Sequence, residues 1–169
     1  MKNIWLVALI FTGMADSSFG LIELGQSVPN LCWHNAEDRA FCIDDYKTKV
    51  RVLLYSTGWC PNCNEEMEKL VPMVAQFKEK DVVFLSLSAE GWKVGALPSQ
   101  SFLKEWRQKF RIPFPVLASP RDPGRNFFEP PITIPNFAIV NKRGKLAAKE
   151  AEFDLGLLLR EVTNALEKD

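Results

Sequence analysis

One stretch limits this chain more than any other: "VRVLLYSTGWCPNCNEEMEKLVPMVAQFKEK", residues 50–80. Its first six residues are apolar or β-branched apart from Arg51, the pattern of a strand buried on both faces. After a short turn, Met67, Leu70, Val71, Val74 and Phe77 recur at helical spacing with charge on the opposite side. Pro72 falls inside that helix and predicts a kink. Between strand and helix stand Cys60 and Cys63. Pro61 suits the first helical position, where its missing N–H costs nothing. Cys60 is therefore expected at the helix N-terminus, with unpaired N–H groups and the positive end of the dipole aimed at its sulfur. Such a position lowers a thiol pKa from about 8.5 by one to several units, each about 1.4 kcal/mol. Cys63 follows one turn on, within reach of a mixed disulfide at Cys60. The spacing predicts Cys60 as nucleophile and Cys63 as resolving thiol of a redox-active pair.

Such a pair has two other uses. A zinc site needs two more ligands, which His34, Cys32 and Cys42 would have to supply. Nine residues separate Cys32 from Cys42, which is not zinc spacing, and there is no second Cys-x-x-Cys. No metal is expected. An inert staple closes too short a loop to remove much chain entropy.

The redox compartment follows from the N-terminus. "MKNIWLVALIFTGMADSSFG" opens with a lysine, runs apolar from Ile4 to Met14, then turns small and polar. That is the layout of a signal peptide over residues 1–20, with cleavage after Gly20. The run is shorter than the about 20 residues of a spanning helix. The other reading is an uncleaved anchor. Export places all four cysteines where disulfides persist, periplasmic or otherwise extracytoplasmic. The 21 basic residues match the 21 acidic ones, so charge gives no argument for nucleic acid as a partner. Residues 21–169 suit one domain.

The remaining elements read in order. "LCWH" and "AFCI" flank the polar "NAEDR" and predict an N-terminal β-hairpin. "DVVFLSLS" is a second buried strand, and "SQSFLKEWRQKF" a helix with Phe102, Leu103, Trp106 and Phe110 on one side. The proline-broken "RIPFPVLASPRDPG" holds a short strand at best. "ITIPNFAIV" and "GKLAAKE" flank "NKRG" as a second hairpin, and "FDLGLLLREVTNALEKD" closes the chain as an amphipathic helix. This order predicts an α/β fold, a mixed sheet covered on both faces.

"LGQSVPNL", "STGWCPNC", "DVVFLSLSAE" and "IPNFAIVNKRGKL" together make the chain similar to the TlpA-like redoxin branch of the AhpC-TSA superfamily, over residues 24–168. The resemblance implies a thioredoxin-like fold with a mixed central sheet, helices on both faces and an N-terminal β-hairpin. It implies an exported protein dithiol–disulfide oxidoreductase with no cofactor. Its partners would be disulfide-containing proteins and, for a reductase, a membrane thiol–disulfide electron donor. The Gly-rich signature of cytochrome-maturation members is replaced by "FFEPPITIP". By resemblance Pro135 is the cis proline facing the dithiol, and Ile134 before it meets substrate. A cis X-Pro bond costs about 0.5–1 kcal/mol over trans and leaves the preceding N–H and C=O free for an extended chain. Pro130 and Pro131 are weaker candidates for that role and would stiffen the loop. Trp59 is expected beside the dithiol, shaping access, and Pro61 and Asn62 as tuners of its potential. Neither is charged, which points to the reducing half of the family range.

Glu66 matches an acid that the family carries three residues after the second cysteine. One turn beyond Cys63, it is placed to move that thiol's proton; the other reading is a solvated helix glutamate. Leu54 replaces the buried aspartate of thioredoxin itself, and Glu68 stands where the family has a proline. Cys32 and Cys42 lie symmetrically about Glu37, and opposed strand residues suit a disulfide. A structural bridge is expected; a second redox couple would need the pair to approach Cys60. Two alternatives to the oxidoreductase fit the residues less well. A thiol peroxidase wants a proline where Leu53 stands, and a copper carrier wants a late histidine, whereas His34 is the last.

Overall fold

The computed structural model describes residues 20–120, 122 and 124–168. Residues 1–19 of the expected signal peptide lie outside them, and its last residue, Gly20, is the first described. Strands β1 (Cys32–His34) and β2 (Ala40–Cys42) form the first hairpin. Asn35 holds its turn, its side-chain oxygen accepting from the N–H groups of Glu37 and Arg39. Cys32 then falls opposite Cys42, and the two are joined in a disulfide. β3 (Val50–Thr57) leads into α1 (Pro61–Val74), β4 (Val82–Glu90), α2 (Gln100–Lys109), β5 (Val116–Ala118), β6 (Asn136–Val140), β7 (Leu146–Glu150) and α3 (Leu155–Glu167). Pro72 sits two residues from the end of α1, where the chain tightens into a 3-10 turn at Ala75–Phe77. Its missing N–H thus weakens only the last turn of the helix.

The seven strands lie in the order β2-β1-β5-β4-β3-β6-β7. β3, β4 and β5 run parallel, and the other pairings are antiparallel. β5 is the short strand between prolines, and it ties the first hairpin to the central sheet. Every residue of β3 is buried. Val50, Val52 and Leu54 face one core with Met67, Leu70, Trp106 and Leu158, while Leu53 and Tyr55 face the other with Trp33, Ile43 and Phe127. Alternation along the strand thus splits the core into two layers, and each fully buried large side chain adds about 1.5–3 kcal/mol.

The helical cover of the two faces is unequal. All three α-helices line the first layer. The crossovers β3-α1-β4 and β4-α2-β5 step the same way across the sheet, and right-handed connections then put both helices on one side. The second layer is roofed by the 3-10 turn Ile43–Tyr46, by Phe127 and Phe128, and by the lead-in through Ile22 and Val28. That lead-in is strapped to the second hairpin. Gly25 N–H donates to Leu146 O at 2.8 Å, Leu146 N–H to Gln26 O at 2.9 Å, and Val28 N–H to Gly144 O at 2.9 Å. Arg51, a buried charge in β3, aims its guanidinium at the carbonyls of Tyr46 and Lys49.

Candidate active site

The site forms where β3 ends. A Cβ on Gly58 would lie 2.4 Å from the Phe102 ring and 2.8 Å from Gly91 O. Glycine is therefore the residue that lets this turn press against the β4–α2 connection. Cys60 follows as the N-cap of α1, with Pro61 at its first position. The Cys60 sulfur accepts the N–H of Cys63 at 3.2 Å, one of the donors that a helix start leaves without an internal partner. Asn64 locks the turn: its amide donates to Cys60 O at 2.8 Å and Gly58 O at 3.4 Å, and Lys109 donates to its oxygen at 3.4 Å.

Cys60 and Cys63 are both free thiols. Their surroundings differ. Cys63 is 1% exposed, and burial, reinforced by the Cys60 sulfur beside it, pushes its thiol well above the usual range. Cys60 lies at the rim of the facing loop, its sulfur 4.0 Å from Ile134 O. The Ile134–Pro135 bond is cis, as is Pro130–Pro131. Two bonds hold this loop: Asn136 Nδ2 donates to Thr133 O at 2.6 Å, and Thr133 Oγ1 to Ala151 O. An open groove of about 500 Å³ runs along it, lined by Asn62, Glu65, Glu66, Ile134, Pro135 and Phe153. A groove of similar size, about 520 Å³, lies between the first hairpin turn and α2. It opens at the start of β5, the far end of the parallel strands, and holds no thiol.

The structure brings Cys60, Cys63, Pro61, Asn62, Glu66, Ile134 and Pro135 together. Glu66 is ion-paired to Lys69 at 2.7 Å. Trp59 is 37% exposed, and its indole N–H donates to Glu90 at the end of β4. The second cysteine pair stands apart. β1 is three strand steps from β3, about 14 Å at the usual spacing. The disulfide also takes Cys32 and Cys42 out of any shared zinc set. Sequence reading missed Gly58, Asn64 and Glu90. Gly58, immediately before the Trp-Cys pair, was the one signal open to view; Asn64 and Glu90 matter through contacts made by the fold.

A family model described as "AhpC/TSA family" matches residues 24–149. Over 91 residues the chain is 26% identical to the thiol-disulfide oxidoreductase ResA of Bacillus thuringiensis, covering 54% of this chain and 51% of that protein. ResA of Bacillus anthracis is 24% identical over the same shares. The chain thus spans about half the length of the curated relatives it matches. Among solved structures, a thiol:disulfide interchange protein of the thioredoxin family from Chlorobium tepidum superposes with a TM-score of 0.69 at 18% identity, over 84% of this chain and 97% of that one. A secreted disulfide oxidoreductase of Mycobacterium tuberculosis gives 0.63 at 17%, over 80% and 96%. These likenesses establish the thioredoxin-like fold.

Proposed function

The chain belongs to the AhpC/TSA family, and within it we propose that this protein is an exported dithiol–disulfide oxidoreductase that reduces disulfides in other proteins. One observation carries the reading: of two adjacent buried free thiols, Cys60 takes a helix-start N–H and lies 4.0 Å from the carbonyl of Ile134, a groove-lining residue, while Cys63 is the more deeply buried and lines the small cavity behind. Cys60 as thiolate attacks one sulfur of a partner disulfide, forming a mixed disulfide and releasing the partner's other thiolate. Cys63 gives up its proton and attacks Cys60 Sγ, which frees the second partner thiolate and leaves Cys60–Cys63 oxidised. Ile134 and Pro135 form the wall along which the partner chain lies, Trp59 guards the other side, and Glu66 receives the Cys63 proton. Pro61 and Asn62 add no charge beside the sulfur, in keeping with a reducing direction.

A membrane thiol–disulfide donor would return the electrons. The apolar run from Ile4 to Met14 and the Cys32–Cys42 disulfide support an extracytoplasmic setting. The disulfide serves as a staple of the first hairpin.

The test is insulin-disulfide reduction by protein reduced with dithiothreitol and freed of it. Wild type is expected to reduce insulin. C60S should be inactive, and C63S should accumulate mixed disulfide at Cys60. Neither insulin reduction nor exchange with glutathione would sink the reading. Peroxide consumption without disulfide exchange would move the protein to the thiol peroxidases, and tight copper binding without exchange to the metal carriers.

A further inference from the structure

Behind the dithiol lies a cavity of about 10 Å³, lined by Ser56, Cys63, Glu66, Met67, Pro135 and Phe153 among others. That is room for one water. Ser56 is 3% exposed, and its hydroxyl has no hydrogen-bond partner. A buried hydroxyl left unpaired is destabilising, so its presence wants an explanation. Strand alternation puts Ser56 on the face of Val52 and Leu54, beneath α1. It is therefore a polar group set into an apolar layer at the point where Cys63 must lose a proton. Leu54, two residues earlier on the same face, offers no acceptor. Glu66 lines the cavity but one of its oxygens is held by Lys69 outside.

Resting on the exchange chemistry above, we propose that Ser56 is a positioning residue, whose hydroxyl holds in this cavity a water that passes the Cys63 proton to Glu66. The proton balance closes. Cys63 S–H gives its proton to the water, the water gives one to the Glu66 carboxylate, and the new Cys63–Cys60 bond expels the partner's thiolate. Glu66 then releases the proton to solvent or to that thiolate. The charged or titratable groups around Cys63 are Cys60 beside it and Glu66 and Tyr55 in the cavity lining, Tyr55 packing its ring into the other layer, with Lys69 beyond; Pro135, Asn136 and Phe153 from the opposite segments bring no charge.

Reaction of the reduced protein with 5,5′-dithiobis(2-nitrobenzoate) separates the two steps. Attack by Cys60 releases one thionitrobenzoate, and resolution by Cys63 releases the second. In S56A the first phase is expected within twofold of wild type and the second slowed about tenfold, the worth of one hydrogen bond. S56G, which also lacks the hydroxyl and keeps the room, should match it. E66Q should slow the second phase about 100-fold, and S56A with E66Q should be no slower than E66Q alone, because both act on one path. A second phase unchanged in S56A and S56G overturns the proposal, as does equal slowing of both phases or full additivity with E66Q. No thionitrobenzoate release from wild type would instead defeat the oxidoreductase reading itself.

Discussion

Substituting alanine for Gly58 tests whether the turn before Cys60 is as tightly seated as its geometry indicates. The new Cβ meets the Phe102 ring at 2.4 Å and Gly91 O at 2.8 Å. Neither neighbour gives way easily. Phe102 is 2% exposed and packs against Trp92 at 5.1 Å and Trp106 at 5.7 Å between ring centres. Gly91 O is backbone, fixed by the bond from Gly91 N–H to Ala96 O at 2.8 Å. Overpacking of this kind costs about 1–3 kcal/mol, and two stiff neighbours place G58A at about 2 kcal/mol. For a domain of this size that lowers Tm by about 4–8 °C. Urea unfolding of the reduced protein, followed by tryptophan fluorescence, measures it. F102L should relieve one of the two contacts, giving G58A and F102L a favourable coupling of at least about 0.5 kcal/mol. A loss below about 0.5 kcal/mol in G58A, the level of an ordinary surface change, would refute the close packing of this turn.

Three further outcomes are expected. Replacing Cys32 and Cys42 together by serine should lower stability by about 2–3 kcal/mol in urea unfolding, while insulin reduction stays within twofold of wild type. Cys63 carries a thiol pushed up by burial and then by Cys60. Above about pH 8.5 the unfolded chain loses that proton and the folded one keeps it, so the reduced protein loses stability as pH rises, by up to about 1.4 kcal/mol per unit. Urea unfolding at pH 8 and pH 10 should show this slope in wild type and a flatter one in C63A; equal slopes would refute it. Asp154 caps α3, its carboxylate accepting from Leu157 N–H at 2.6 Å, and D154A should cost about 1 kcal/mol by thermal unfolding.

The parts of this fold that showed in the sequence are those fixed by nearby residues. β3 and α1 each carry their own period, and Pro61 marks the junction between them. The first hairpin was legible down to its register, because the Asn35 turn sets which residues face each other. β5 was only glimpsed: three residues between prolines carry no period, and its strand character comes from pairing with β4 and β1. The unequal layering was hidden for another reason. Which face a helix covers depends on which neighbour its following strand joins, and no local spacing records that. The site divides the same way. Cys60 and Cys63 stand at one helix start, so their spacing announced them, whereas Glu66 drew notice only through the family resemblance. Glu90 meets Trp59 across 31 residues of chain, and Lys109 reaches Asn64 across 45; a reader of local pattern has no means to pair them.

The strap formed by the lead-in has a consequence for the order of events in synthesis. Lys145 reaches Gly25 O across 120 residues, which at about 5–20 residues per second is about 6–24 s of translation. Through that interval Gly25 N–H, Gln26 O and Val28 N–H lack the partners that Gly144 and Leu146 later supply, and the apolar underside of β3 and β4 lacks part of its roof. The earliest described segment of the chain is thus among the last to be locked in place. A chain cut short before Gly144 would keep both reactive cysteines and lose every bond that ties residues 25–28 to the second hairpin.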